Sequence, residues 1–171
     1  MDDDFKEQSF LDKVGAGYEK AWQAFIMPTR INYSMESLGP PVIGMPSGRL
    51  LQRYDFFSLN IHGNRIEASL FEQPQQHQNP FKTCLIYLHS QSGCRIEGLF
   101  LREFCSDNDI GLCVFDFAGC GLSHGTYVSL GHYEKEDLFK VNETLTYRSS
   151  NICSRASAIR DLFSGEDRWE Q

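Results

Sequence analysis

Two short segments of this chain hold residue types whose spacing could serve chemistry. The first, His89-Ser90-Gln91-Ser92-Gly93, places an imidazole, two hydroxyls and a glycine between an apolar run and a helical pattern. Backbone amides at a strand-to-helix turn point outward, where they can hold a developing negative charge. The second, Asp116-Phe117-Ala118-Gly119-Cys120-Gly121-Leu122-Ser123-His124-Gly125, sets a carboxylate ahead of three glycines. The glycines permit tight turns, and the carboxylate can accept hydrogen bonds from nearby loop amides. Such turns also follow strands in proteins that catalyse nothing, so the residues alone leave a functional and a structural reading open.

Within the second segment, Gly121-Leu122-Ser123-His124-Gly125 matches the Gly-x-Ser-x-Gly pattern of a nucleophile elbow. That pattern has physical meaning when serine follows a strand at once and a helix starts behind it. Ser123 comes well after Asp116, and Thr126 to Gly131 does not read as a helix start. Ser123 is thus a candidate nucleophile by pattern and a loop residue by context. His124 beside it gives no general base, because neighbouring side chains diverge. Gly119-x-Gly121 fails as a dinucleotide fingerprint, with His124 standing where the third glycine belongs. Cys94, Cys120, His89 and His124 lack zinc-site spacing, so no metal and no cofactor is expected. Cys94 and Cys120 read as small buried thiols rather than reactive ones. Ser154 and Ser157 are further serines of the tail, without a base or orienting acid in view.

The elements that must position these loops follow from periodicity. Phe57, Leu59 and Ile61 alternate with polar residues, and Ile66, Ala68 and Leu70 repeat the pattern after His62-Gly63-Asn64-Arg65, which predicts a hairpin. Cys84 to Leu88 and Leu112 to Phe115 are short, nearly continuous apolar runs, and between them Ile96, Leu99, Phe100 and Phe104 stand at helical spacing. Strand, helix, strand with both strands apolar on both faces predicts a βαβ unit. Leu138, Val141 and Leu145 predict a helix from about Glu134 to Tyr147, opened by Glu134, Glu136 and Asp137 as acidic first-turn residues. Leu11, Val14, Tyr18, Trp22 and Phe25 predict one over residues 8–27, and the proline-rich stretch 28–49 reads as irregular chain draped over the fold. In the tail, Ala156, Ile159, Leu162 and Phe163 could form one short helix.

Composition narrows the classes. An apolar share of 41% with 23% charged residues is globular rather than disordered or fibrous. The net charge of -7 and the absence of a Lys/Arg run argue against nucleic acid as partner. Six cysteines without a Cys-x-x-Cys pair suit a reduced, intracellular setting. The acidic opening lacks an apolar signal core, and no apolar run approaches the ~20 residues of a membrane span. The expectation is a protein that is not integral to a membrane, with the cytoplasm as its default location.

With both loops in view, a resemblance can be stated. His89-Ser90-Gln91-Ser92-Gly93-Cys94-Arg95 resembles the His-Gly-x-x-Gly oxyanion loop of α/β-hydrolases, in the form common to serine-aminopeptidase-like and acyl-hydrolase-like members. Asp116 to Gly125 is similar to their Asp-x-x-Gly-x-Gly-x-Ser-x-Gly turn after the fourth strand. Tyr127-Val128-Ser129-Leu130-Gly131 with Glu134 to Leu138, and the lead-in Pro28-Thr29-Arg30 to Leu38-Gly39-Pro40, resemble a group abundant in ciliates and other protists. The resemblance covers roughly residues 20–147.

It implies a partial α/β-hydrolase fold, an α/β arrangement of N-terminal helix, hairpin and then the βαβ of a mostly parallel sheet, lacking the C-terminal half. Residues 1–52 would be the lead-in, 53–147 the first half of the hydrolase domain, and 148–171 a divergent or truncated tail. Gln91 would offer the oxyanion amide within a remnant formed with His89 and Ser90, while Gly93, Arg95, Asp116, Gly119, Gly121 and Gly125 would hold the loops. Ser90 departs from the family by replacing the glycine after the histidine, and its β-carbon would tilt the amide or narrow the site. No serine elbow follows the predicted helix, so the chain is expected to be catalytically incompetent, its complete relatives cleaving esters, thioesters or amides through an acyl-serine. A small acyl or peptide substrate is implied for a full-length form. The alternatives are a non-enzymatic binding or regulatory module, or an active hydrolase using Ser123. The family's sheet order would leave Cys84–Leu88 as an open edge, which implies self-association.

Overall fold

The computed structural model describes residues 29–74 and 83–152, together with Gly17, Gln23, Ile26 and Met27. Of the helix expected over residues 8–27, the described Gly17, Gln23 and Ile26 are helical and Met27 is a bend that ends it; the remaining residues, like Ser154, Ser157 and the short helix expected in the tail, lie outside the described residues. The described chain is a mixed α/β fold. A 3-10 turn (Met35–Leu38) leads into β1 (Val42–Gly44), β2 (Leu50–Leu59) and β3 (Arg65–Glu72). Then come β4 (Thr83–Tyr87), a 3-10 helix (Arg95–Leu101) continuing as α1 (Arg102–Asp107), β5 (Ile110–Phe115) and α2 (Glu134–Ile152). The sheet order is β1-β2-β3-β5-β4. The β4/β5 pair is parallel and the other three pairings are antiparallel.

The hairpin turns where its sequence can close a loop on itself. The Asn60 side-chain oxygen accepts the N–H groups of His62 at 3.0 Å and Asn64 at 2.9 Å, a local turn that asparagine favours. Its sidedness was not legible from alternation. Phe57, Leu59 and Ile61 face outward, about half exposed, while Ser58 and Asn60 are buried. The reason is α2, which docks on the other face through polar groups. Ser58 Oγ lies 3.1 Å from the Lys140 carbonyl and 3.1 Å from Thr144 Oγ1, and the Asn60 amide donates to Asp137 at 2.8 Å. On the outward face the Arg65 guanidinium lies 4.2 Å above the Phe57 ring, a cation–π contact.

The strand β5 is apolar on both faces because both are covered. Toward α2, Cys113 and Phe115 pack with Ile66, Ala68 and Val141, and Cys84 and Ile86 of β4 join them. Toward α1, Leu112 and Val114 pack with Phe71 and Cys105. The connection between β4 and β5 differs from the regular helix its spacing predicts. It begins as a 3-10 helix, where residues three apart eclipse, so Arg95 and Gly98 share the face buried on the sheet. Gly98 lies against that sheet, and a β-carbon there would come within 2.6 Å of Val114 Cγ1. With this face inward, Phe100 and Phe104 turn out to solvent at 72% and 58% exposure.

Candidate functional site

Because β4 and β5 run parallel, with Leu85 opposite Leu112, both loops leave the same end of the sheet. In open α/β sheets that end gathers ligands. His89, just beyond β4, is buried, and its Nε2 accepts the Phe117 N–H at 3.0 Å. The other ring nitrogen then carries the proton and donates to the Ser90 carbonyl at 2.7 Å. Both nitrogens are engaged, and the imidazole ties one loop to the other.

Ser90, Gln91 and Ser92 form the exposed tip of the first loop, and Gly93 behind them is buried, its N–H bonded to the Ser90 carbonyl at 2.9 Å. Glu97 folds back over this tip. Its carboxylate accepts the Ser90 N–H at 3.0 Å and the Ser90 hydroxyl at 3.1 Å. Ser90 thus holds a carboxylate of the chain itself with both of its donors.

Asp116, fully buried, organises the second loop. One oxygen accepts the Arg95 N–H at 2.7 Å; the other accepts the Leu122 N–H at 3.0 Å and the Tyr33 hydroxyl at 2.5 Å. The loop wraps so closely that at Gly121, where φ is +46°, a β-carbon would lie 2.3 Å from the Asp116 carboxyl carbon. Glycine is required there by space and by backbone conformation alike. Gly119 donates to the His124 carbonyl at 3.0 Å, and the Gly125 carbonyl accepts from Arg30 at 2.6 Å. Arg95 is buried with Asp116, its Nε 3.6 Å from the carboxylate. That Nε–H donates to Tyr33 Oη, and the two terminal nitrogens meet Ser69 Oγ and the Met35 sulfur.

Ser123 is fully buried, and its hydroxyl continues the sheet. The Asp116 N–H bonds the Glu67 carbonyl at 2.9 Å, as in an antiparallel ladder. The reciprocal bond is relayed: the Glu67 N–H donates to Ser123 Oγ at 2.8 Å, and that hydroxyl donates to the Asp116 carbonyl at 2.6 Å. His124, exposed, takes no part in this relay.

Several supporting residues make contacts that their places in the sequence did not announce. Arg30 donates to the carbonyls of Ser123 at 2.9 Å and Gly125, so the lead-in straps the glycine loop from more than ninety residues away. Asp137 accepts the Ala118 N–H at 2.8 Å on one oxygen and Asn60 on the other, joining loop, hairpin and helix. Burial raises its pKa despite these bonds. The start of α2 is held by Glu134, which accepts the Ser129 N–H, the Ser129 hydroxyl and the Gly131 N–H at 2.5–2.8 Å. Burial works against its charge, but these bonds prevail and lower its pKa. The thiols are desolvated: burial pushes Cys120 up to about 11 and Cys84 up to about 12. No group of three or more His, Cys, Asp or Glu among the described residues could hold a metal ion, and no described helix is long and apolar enough to cross a membrane.

Fold and loops together define an α/β protein whose two connecting loops meet at the carboxyl ends of a parallel strand pair. Compared with known proteins, the sequence matches no family model and no curated protein. Among solved structures the chain is similar to the Pyrococcus furiosus esterase Pf2001 in three crystal forms. The identities are 18%, 19% and 18%, with TM-scores of 0.47, 0.48 and 0.46. The alignments cover 70–72% of this chain and 41–43% of the esterase chains, so the chain spans about two fifths of their length.

Proposed function

We propose that residues 53–147 are the first half of an α/β-hydrolase domain, which carries the oxyanion-loop remnant and the aspartate loop but does not by itself turn over substrate. The hairpin, the βαβ unit and the two loops in their order support the family reading. The observation that carries the functional one is the engagement of Ser123, His89 and Ser90. Ser123 bridges β3 and β5, His89 uses both ring nitrogens between the loops, and Glu97 holds the donors of Ser90. A serine nucleophile needs a base within reach and an open approach, and buried Ser123 has neither. Gly93, Arg95, Asp116, Gly119, Gly121 and Gly125 act as the frame of the loops. An ester, thioester or amide substrate belongs to a form that adds a nucleophile elbow, an acid and a histidine. The test is covalent labelling of the 171-residue chain with a fluorophosphonate. No adduct is expected, and an adduct abolished by Ser123→Ala would establish Ser123 as the nucleophile instead.

A further inference from the structure

Ser90 stands between two peptides that are both held. On its amino side the Glu97 carboxylate accepts the Ser90 N–H at 3.0 Å and, with its other oxygen, the Ser90 hydroxyl at 3.1 Å. On its carboxyl side the Ser90 carbonyl accepts the His89 ring N–H at 2.7 Å and the Gly93 N–H at 2.9 Å. A trans peptide is planar, so the Gln91 N–H points opposite to the Ser90 carbonyl. Neither φ nor ψ of Ser90 can turn without breaking bonds on one side or the other. The same contacts therefore set the direction of the Gln91 N–H.

Glu97 reaches this place because residue 93 is glycine. A β-carbon on Gly93 would lie 2.5 Å from the Glu97 carboxyl carbon. Gly93 does not have a positive φ, so the glycine serves to leave room rather than to permit a turn. The carboxylate is carried by the first turn of the 3-10 helix, which lies on the sheet through Arg95 and Gly98. Bonds to an ionised acceptor are roughly twice as strong as neutral ones. We infer that Glu97 is a positioning residue of the first loop: by holding both donors of Ser90 it fixes the Ser90–Gln91 peptide and thereby the direction in which the Gln91 N–H is presented. This role has catalytic meaning on the reading of the loop as an oxyanion-loop remnant, in a form that adds the nucleophile elbow. There the amide would be preset before substrate arrives, as a preorganised donor must be.

Proton–nitrogen NMR of the full 171-residue chain provides the test, with no substrate involved. In the wild type the Ser90 amide resonance should move upfield as pH is lowered from 7 toward 4, because its acceptor loses charge. Glu97→Gln should abolish that movement, and Glu103→Gln, on exposed α1 surface, should leave it intact. In Glu97→Ala the Ser90 amide should exchange with solvent at least about tenfold faster, and the Gln91 resonance should shift with it. Gly93→Ala, which keeps Glu97 but evicts its carboxylate, should reproduce both effects; if it does not fold, Glu97→Ala decides the matter. A Ser90 amide indifferent to pH, a movement that survives Glu97→Gln, or a Gln91 resonance unmoved in Glu97→Ala would each overturn the inference. None of these results touches the hydrolase reading, which stands or falls on fluorophosphonate labelling.

Discussion

Replacing Ser123 by alanine separates a sheet-bridging hydroxyl from a nucleophile. In the folded chain this hydroxyl takes the Glu67 N–H and gives its proton to the Asp116 carbonyl, both inside the protein. Alanine leaves a methyl group between a donor and an acceptor that cannot reach each other. Each buried polar group left without a partner costs about 1–3 kcal/mol. The lower half of the summed range applies, since the two strands can draw together or admit a water, which gives about 2–4 kcal/mol. For a chain of this size that corresponds to a fall in Tm of roughly 5–15 °C. Thermal unfolding followed by far-ultraviolet circular dichroism measures it, with fluorophosphonate labelling on the same samples. A variant that melts with the wild type, or a labelled wild type beside an unlabelled variant, would refute the reasoning.

Other outcomes follow from the same geometry. Gly121→Ala drives a β-carbon into the Asp116 carboxyl group at positive φ and should lower stability by at least about 3 kcal/mol in urea titrations. Gly48→Ala, also at positive φ but with open space around it, should cost only about 1 kcal/mol. Glu134 has a lowered pKa, so its contribution to stability is present above the unfolded value of 4.5 and is lost as pH falls below it. Glu134→Gln should accordingly flatten the fall in urea midpoint between neutral and acid pH. An unchanged slope would show that the Ser129 and Gly131 bonds do not favour the carboxylate. Cys84, pushed up to about 12 from 9.0, holds about a thousandfold less thiolate at pH 8 in the folded chain. Iodoacetamide labelling read by peptide mass should therefore leave Cys84 largely unmodified in the native protein and modify it on unfolding.

What the sequence by itself determined was local. Asn60 to Asn64 closes the hairpin with its own side chain, and residues of β5 that are apolar on both faces announce a strand covered twice. The run from Glu134 carries helical spacing and its own N-terminal bonds, and the structure continues it to Ile152. The glycines of the second loop stand where the chain must turn against Asp116. Tertiary structure decided the rest, because the deciding contacts join residues far apart in the chain. Which face of β2 is inward depended on Ser58 and Asn60 meeting α2, some eighty residues on, so Phe57 and Leu59 came to face water. The inward face of the connection after β4 was chosen by Gly98, whose missing side chain allows a 3-10 turn to lie flat on Val114 and leaves Phe100 outside. The strap of Arg30 and Tyr33 on the glycine loop has no periodic signature, since one guanidinium and one hydroxyl find distant partners only once the sheet is assembled. Periodicity reports the repeat of a segment along its own axis; which side meets the core is a property of the neighbours that the fold brings to it.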